Sequence, residues 1–242
     1  MTPIPAPSPN FDARLGPPDM IVLHYTGMAS GAAALARLTE PGSKVSAHYL
    51  IEEDGSLFAL VAEERRAWHA GVASWAGQSD INGASIGIEL VNPGHEFGYR
   101  AFPRAQIDIL IDLIAAIRSR WTVPGVRILA HSDVAPGRKA DPGERFPWRR
   151  LARAGHGPWV EPPPAPGDPL GPGDRGPGVL ALRAGLASLG YALSASDLFD
   201  GEAKAVVTAF QRHFVQRRVD GIADGVTRAR LIALLRLARA DA

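Results

Sequence analysis

Short apolar runs, each bounded by turn-forming residues, recur through the first 130 residues of the chain. Three of these runs, at residues 20–25, 86–91 and 126–130, have the length and the apolar content of buried strands. Two more runs flank the Asp54-Gly55 pair, and Asp-Gly between apolar runs predicts a β-hairpin. The pattern therefore predicts at least five strands in this part of the chain.

Between these strands, apolar residues follow the three-and-four spacing of amphipathic helices. The clearest case is residues 103–120, where Pro103 stands near the predicted start. Its apolar positions are Ile107, Leu110, Ile111, Ile114 and Ile117. An Ala- and Leu-rich segment at residues 32–38 predicts another helix. Strands that alternate with helices indicate an α/β domain, which we expect to end near residue 155.

A segment rich in proline and glycine separates this region from the end of the chain. Residues 157–178 contain eight prolines and six glycines, which excludes a regular helix or a central strand and predicts a partly stiff linker. Beyond it, three stretches of helical rhythm predict a small three-helix unit with a core of its own. We therefore divide the chain into an α/β domain at residues 1–156, the linker at 157–178 and a helical domain at 179–242.

Composition narrows the classes of function and of partner. Lys plus Arg number 26 and Asp plus Glu 25, so the formal net charge of +1 gives no reason to expect nucleic acid or an anionic membrane as a partner. The chain has no cysteine, which excludes disulfides, Cys-ligated zinc and a Cys nucleophile. No stretch reaches the ~18 apolar residues of a membrane span, and nothing in the pattern demands more than a monomer.

The first ten residues have neither a basic region nor an apolar core, so they do not predict a signal peptide. We therefore expect a cytoplasmic protein if Met1 is the native start. A longer native start that carries a signal sequence would instead make the protein periplasmic.

Two of the predicted strands end in a histidine or lead directly to one. His24 lies at the end of the first run and His131 follows the last, while Asp141 comes ten residues later, after a loop that Pro136 and Gly137 turn back. Catalytic zinc sites use three such ligands and leave one position for water. Each residue taken alone is more often structural, so the spacing by itself leaves a zinc hydrolase and a purely structural interpretation equally open.

Two further residues have chemistry that suits such a site. Glu89 interrupts the apolar run at residues 86–91, where burial would raise its pKa and suit it to carrying a proton. Lys139, two residues before Asp141, is placed to neutralise an oxyanion. Taken alone, a residue such as Glu89 is most often a solvent-facing strand residue, and one such as Lys139 is usually a solvated loop charge.

Five segments, taken in order, resemble the type 2 family of N-acetylmuramoyl-L-alanine amidases, in its AmpD and AmiD branches. They are residues 23–26, 46–51, 68–71, 85–90 and 131–143. The resemblance covers about residues 15–155 and implies a central mixed β-sheet flanked by helices, with Zn²⁺ at one end of the sheet. By this resemblance the zinc ligands, the catalytic carboxylate and the catalytic lysine correspond to His24, His131 and Asp141, to Glu89, and to Lys139.

Other residues in or beside these segments are candidates for contact with substrate. They are Trp68, His69, Asn92 and Arg138. Each also has a structural alternative. Trp68 would be a core residue and His69 would support another side chain. Asn92 would belong to a turn, and Arg138 would be a solvated charge. His48 lies on a predicted strand and faces either the cleft or the core. The remaining histidines are expected at the surface, namely His95, His156 and His213.

The end of the chain resembles the type 1 peptidoglycan-binding domain. The matching stretches are residues 190–191, 205–211, 220–222 and 224–227. Because this part also matches, the likeness is greatest to the AmiD branch. The alternative is a helical appendage that stabilises the protein and does not bind cell wall.

Together these resemblances imply hydrolysis of the amide between N-acetylmuramic acid, or its 1,6-anhydro form, and L-alanine. The expected partners are muropeptides or peptidoglycan fragments, and a cytoplasmic location would make the expected role peptidoglycan recycling. Three alternatives remain open: a periplasmic amidase that acts on polymeric peptidoglycan, a non-catalytic peptidoglycan-sensing module, and a zinc peptidase that cuts within the stem peptide.

Overall fold

The computed structural model describes residues 2–240 of the chain. Met1, Asp241 and Ala242, which stand at the ends of the two predicted domains, lie outside the described residues. The strands are β1 (Ile4–Pro5), β2 (Phe11–Ala13), β3 (Met20–Tyr25), β4 (Tyr49–Ile51), β5 (Leu57–Ala59), β6 (Arg65–Ala67), β7 (Ser85–Leu90) and β8 (Ile128–Ala130). The helices are α1 (Gly31–Thr39), α2 (Ile81–Ala84), α3 (Arg104–Arg120), α4 (His131–Val134), α5 (Trp148–Arg153), α6 (Pro177–Leu189), α7 (Gly201–Phe214) and α8 (Gly225–Ala240).

Six of the strands form one mixed sheet in the order β1-β5-β4-β7-β3-β8, and β2 pairs with β6 in a separate antiparallel ribbon. Strands β4, β7, β3 and β8 run parallel to one another, and β5 runs antiparallel to β4. The β4–β5 connection is the hairpin predicted at Asp54-Gly55. Helices flank the sheet, which confirms the predicted α/β fold with a central mixed sheet.

Helix α3 covers one face of the sheet. It begins directly after Pro103, as the spacing predicts, and its buried side chains form one cluster with Ile21 and Leu23 of β3. The other members include Ile86, Ile88, Ile107, Leu110, Ile114 and Ile117. This packing holds β3 and β7 side by side, and it therefore fixes the positions of the residues at their ends.

The opposite face of β3 is covered by the end of the chain. Met20 and Val22 point away from α3 and belong to a second apolar cluster, together with Leu129 of β8. That cluster also contains buried side chains from α6, α7 and α8, among them Val179, Leu182, Leu186, Val206, Val207, Phe210 and Leu231. The prediction that the three helices have a core of their own is therefore wrong, because they share a core with the sheet.

The proline-rich segment lies between these parts without regular secondary structure. Residues 158–176 form isolated bridges only, and Leu170 exchanges backbone hydrogen bonds with Ala223 just before α8. The guanidinium of Arg230 lies 4.9 Å from the centre of the Trp159 ring. The segment is thus tied to the third helix, and the division of the chain at residues 156 and 178 stays a prediction. Within residues 2–240, no helix has the length and apolar character that crossing a membrane requires.

Candidate metal centre

Three neighbouring parallel strands bring the predicted site residues to one edge of the sheet. His24 lies near the end of β3 and pairs in register with Glu89 of β7, while His131 follows β8 directly as the first residue of α4. Because the carboxyl ends of parallel strands meet at the same edge, these side chains converge. The loop after α4 returns Asp141 to the same point.

Three ligand-type atoms meet at this edge, on His24, His131 and Asp141, and all three residues are buried. The Nδ1 atoms of the two histidines are 2.9 Å apart, and Asp141 Oδ2 lies 3.2 Å from His24 Nδ1 and 2.9 Å from His131 Nδ1. Ligand atoms of a tetrahedral zinc are about 3.3 Å apart, given bonds of ~2.0–2.1 Å. Three facing lone pairs at this spacing fit a cation between them, so the residues suit Zn²⁺ and leave its fourth position open.

The second nitrogen of each histidine has a hydrogen-bond partner. His131 Nε2 lies 3.0 Å from the carbonyl oxygen of Ala70, to which it can only donate, so its Nδ1 is free to bind a metal. His24 Nε2 lies 3.0 Å from His69 Nδ1, and His69 Nε2 lies 3.3 Å from Ser85 Oγ. Ser85 Oγ in turn donates to a backbone carbonyl at 2.5 Å. This chain of donors fixes the His24 tautomer with Nδ1 as the ligand.

A glycine makes room for that support. The His69 ring packs against β7 at Gly87, where a Cβ would lie 2.4 Å from His69 Cγ. A side chain at this position would therefore displace the ring that holds His24.

Burial and charge set the protonation of two of the ligand residues, His24 and Asp141. Burial, helped by the neighbouring His131, lowers the pKa of His24 to about 4, so the ring is neutral near pH 7. Burial opposes ionisation of Asp141, but the two histidines hold the pKa of its carboxyl well below its usual range. A neutral imidazole and a carboxylate are the forms that bind a metal.

Glu89 faces the same cleft from β7. Burial, reinforced by the negative charge of Asp141, raises the pKa of its carboxyl well above the usual range. Its Oε2 atom is buried and has no hydrogen-bond partner among residues 2–240. The carboxyl group is therefore prepared to exchange a proton with a molecule in the cleft.

The cleft itself has a volume of about 430 Å³. Lys139 lines it beside Asp141, and its charge partly offsets the rise in the pKa of Glu89. The five residues that the family resemblance assigned to metal binding and catalysis thus line one cavity. Their roles stay predictions, and the geometry is compatible with all five.

The four residues predicted to contact substrate have different positions. His69 and Arg138 line the cleft, but His69 supports His24, and Arg138 donates to the carbonyl oxygens of Ala70 and Val72, at 2.6 Å in both cases. Trp68 and Asn92 are not among the residues that line the cleft. Their side chains are used elsewhere, Trp68 Nε1 donating to Asp12 Oδ2 at 2.7 Å and Asn92 Nδ2 to the carbonyl oxygen of Arg100 at 2.9 Å.

The other histidines divide between surface and interior. His95 is exposed at the cleft rim, as expected, and His48 lies in the core, where its Nδ1 accepts a hydrogen bond from Gly87 N at 2.9 Å. The surface position predicted for His156 and His213 is wrong, since their residues are 7% and 3% exposed. His213 is buried because its ring stacks on Trp148 of α5, with 3.6 Å between the ring centres, and its Nδ1 lies 2.6 Å from Asp133 Oδ2 of α4.

A buried polar group behind the metal centre has no local signature in the sequence. Asp133 of α4 is 1% exposed and accepts hydrogen bonds from Tyr191 Oη at 2.6 Å and from Ala130 N at 2.9 Å. Its Oδ2 also lies 2.6 Å from His213 Nδ1. Both side-chain partners come from the C-terminal helical region, 58 and 80 residues away. This group ties that region to the turn that carries His131.

Comparison with known protein families agrees with this geometry. Residues 14–144 match the family described as N-acetylmuramoyl-L-alanine amidase, and residues 175–231 match one described as a putative peptidoglycan binding domain. The N-acetylmuramoyl-L-alanine amidase AmiD of Escherichia coli is 36% identical over 229 residues, which cover 89% of this chain and 82% of AmiD. The 1,6-anhydro-N-acetylmuramyl-L-alanine amidase AmpD of Citrobacter freundii is 32% identical over 164 residues, covering 60% of this chain and 86% of AmpD.

Solved structures show the same similarity in three dimensions. Escherichia coli AmiD, in complex with the substrate anhydro-N-acetylmuramic acid-L-Ala-D-γ-Glu-L-Lys, aligns with a TM-score of 0.77 at 34% identity, over 93% of this chain and 92% of AmiD. AmpDh3 of Pseudomonas aeruginosa, in complex with an anhydromuramic pentapeptide, aligns with a TM-score of 0.75 at 33% identity, over 91% of this chain and 92% of AmpDh3. On its family match, its relatives and its fold, this chain belongs to the N-acetylmuramoyl-L-alanine amidase family.

Proposed function

We propose that this protein is a zinc-dependent N-acetylmuramoyl-L-alanine amidase that acts on 1,6-anhydro-muropeptides. The observation that carries the proposal is the convergence of His24, His131 and Asp141 in a cleft that also holds Glu89 and Lys139. The two relatives solved with anhydromuramyl peptides support this choice of substrate. The bond to be cut joins the lactyl carbonyl of muramic acid to the nitrogen of L-alanine.

In the proposed mechanism, His24, His131 and Asp141 would hold Zn²⁺, which would supply Lewis acidity to the carbonyl and to the attacking water. In its ionised form, Glu89 would take a proton from the attacking water at its unpartnered Oε2 atom and deliver it to the departing nitrogen of L-alanine. Lys139 stabilises the negative charge that develops on the carbonyl oxygen. Water thus adds to the carbonyl carbon, the carbon–nitrogen bond breaks, and the peptide leaves with a free amino terminus.

Mass spectrometry of digested anhydro-muropeptide tests the reaction. We expect an intact peptide that begins with L-alanine, together with the free anhydro sugar. Removal of metal with a chelator should abolish the reaction because the lactyl amide then loses its Lewis acid, and added Zn²⁺ should restore it. Fragments cut within the peptide would indicate a peptidase instead, and a metal-free, inactive purified protein would indicate a sensing module.

Residues 175–231 match a putative peptidoglycan binding domain, which favours polymeric peptidoglycan as a second candidate substrate. Digestion of intact sacculi beside soluble muropeptides, at equal concentrations of stem peptide, separates the two. We propose that soluble fragments are cut faster, in keeping with a role in recycling. A cytoplasmic location stays a prediction, which fractionation of the native cells would test.

A further inference from the structure

A second cavity adjoins the metal cleft on the side of the C-terminal helices. Its volume is about 340 Å³, and it shares Arg138, Lys139 and Ala140 with the cleft. Its far wall is α7, which contributes Lys204 and Arg212 among other residues. A molecule bound at the metal can therefore extend toward α7, a helix outside the part of the chain that matches the amidase family.

The lining of this cavity is positively charged. It contains the two cations of α7 and two from the loop, and no Asp or Glu residue is among the described residues that line it. Arg138 is engaged with backbone carbonyl oxygens. Arg138 keeps its positive charge, but these bonds fix its orientation, so Lys139, Lys204 and Arg212 are the cations least engaged with described residues.

Arg212 is the most unusual of these cations. Its Nε atom is buried, and within residues 2–240 it has no hydrogen-bond partner. No described ion pair involves its guanidinium. The guanidinium of Arg212 is therefore not neutralised by a described carboxylate, and its charge is available to a ligand in the cavity.

Glu144, whose pKa is lowered by its hydrogen bond to His95 and further by the charge of Arg212, does not form an ion pair with this guanidinium. Its carboxylate is paired instead with His95, with 3.2 Å between Glu144 Oε2 and His95 Nε2. Arg212 also lies close enough to the metal cleft to oppose the rise in the pKa of Tyr25 that burial causes. The guanidinium thus stands beside the cleft with part of its hydrogen-bonding capacity unused.

We propose that Arg212, assisted by Lys204, binds a carboxylate on the peptide portion of the substrate. This inference rests on the proposed function. In an anhydromuramyl peptide the lactyl carboxyl is consumed by the amide, so the negative charges lie on the peptide. Two carboxylates are available: the α-carboxylate left free by a γ-linked D-glutamate and the carboxylate at the end of the peptide. A guanidinium matches either one with two parallel hydrogen bonds.

The geometry also orients the substrate. With the scissile amide at the metal, the peptide runs along Lys139 toward α7. The C-terminal helical region therefore contributes directly to recognition of a single muropeptide, whether or not it binds polymeric wall.

Calorimetric titration with the product peptide L-Ala-D-γ-Glu-L-Lys tests the inference on the full chain. The ligands are the free acid, the form amidated at the α-carboxyl of glutamate and the form amidated at the peptide end. The proteins are the wild type, Arg212→Gln, Lys204→Gln and, as a matched control, Arg217→Gln, which removes an exposed arginine just beyond α7 that does not line the cavity.

We expect Arg212→Gln to raise the Kd of the free acid about tenfold or more, as for loss of a charge-assisted pair. Lys204→Gln should have a smaller effect, and Arg217→Gln should stay within about twofold of the wild type. In the wild type, amidation of one carboxylate should weaken binding as much as Arg212→Gln does, and this identifies the carboxylate that is bound. Arg212→Gln should not distinguish that amide from the free acid.

Equal affinity of Arg212→Gln and wild type for the free acid would overturn the inference. It would also be overturned if Arg212→Gln lost the same affinity for all three peptide forms, or if the wild type did not bind the peptide. Hydrolysis of anhydro-muropeptide by the wild type is measured separately. If hydrolysis fails while Arg212-dependent binding persists, the amidase proposal fails and the carboxylate site stands.

Discussion

Glu89 owes its proposed chemistry to the position that β7 gives it. A carboxyl group on an exposed strand position would be ionised and solvated at neutral pH, whereas this one is buried beside Asp141 with its Oε2 atom unpartnered among the described residues. Burial and the negative charge of Asp141 both raise the pKa of Glu89 above that of an ordinary glutamate. The register that sets Glu89 opposite His24 also brings it to the metal edge of the sheet.

For Glu89→Gln, we expect kcat on anhydro-muropeptide to fall by about 100-fold or more, because the proton carrier is lost while shape and polarity are kept. The zinc content, measured by atomic emission on the purified variant, should stay near the wild-type value. Asp141→Ala provides the contrast, since it should lose both zinc and turnover. A rate for Glu89→Gln close to that of the wild type would show that another group carries the proton.

At the scale of secondary structure elements, Glu63 joins parts of the fold that are distant in sequence. Its buried carboxylate accepts hydrogen bonds from Tyr49 Oη of β4 at 2.7 Å, from Arg120 Nη2 at the end of α3 at 2.6 Å and from Trp121 Nε1 at 2.6 Å. Burial opposes ionisation, but these donors hold the pKa of Glu63 below its ordinary value. The ionised carboxylate therefore stabilises the packing of α3 against the sheet.

We expect Glu63→Gln to lower the free energy of unfolding at pH 7 by about 2 kcal/mol, because the amide loses the charge and one acceptor. The exposed neighbour Glu64 provides a matched control, and Glu64→Gln should change stability by less than about 0.5 kcal/mol. Urea unfolding followed by circular dichroism measures both. Equal effects of the two substitutions would show that the buried carboxylate adds nothing.

The stability difference between the wild type and Glu63→Gln should depend on pH. The pKa of Glu63 is lower in the folded protein than in the unfolded chain, so its contribution is fully present above the unfolded value of ~4.3 and is lost as the pH falls through the folded value. The stability difference between the wild type and Glu63→Gln should therefore shrink below about pH 4. A difference that grows on acidification would contradict the assigned direction of the shift.

At the scale of the whole molecule, the sheet depends on the C-terminal helices for its second face. Met20, Val22, Leu129 and Val134 are at most 3% exposed, and they share a cluster with side chains of α6, α7 and α8. The contact is close, since a Cβ at Gly190 would lie 2.4 Å from Trp75 Cε2. The buried group around Asp133 adds a polar connection beside the metal ligand His131.

A chain ending at residue 156 should therefore lose its cooperative fold. Each large apolar side chain left exposed costs about 1.5–3 kcal/mol, and several such residues together match a typical total stability of about 5–15 kcal/mol. Thermal denaturation followed by circular dichroism, with dye binding to exposed apolar surface, measures the effect against the full chain. A cooperative transition within a few degrees of the full-length value would show that the shared core is dispensable.

The sequence predicts those features of the fold and the site that depend on residues close together in the chain. The hairpin at Asp54-Gly55, helix α3 and the buried strand β3 follow from turn chemistry and apolar periodicity, which act over a few residues. The metal and catalytic residues were assigned through motifs that resemble a known family. Spacing alone left His24 and His131 ambiguous, because it does not show which strands become neighbours.

The tertiary structure alone decided the features that join distant segments. Nothing near His213 in the sequence indicates that it meets Asp133, and nothing near Arg212 indicates that it stands beside the metal cleft. Both lie on α7, one of the three helices that the sequence predicts. The sequence did not predict what this helix packs against, because an apolar helix face fits any complementary surface. The sequence thus determined the elements and, through its motifs, the chemistry, whereas the packing of α7 on the sheet decided which cations and histidines surround that chemistry.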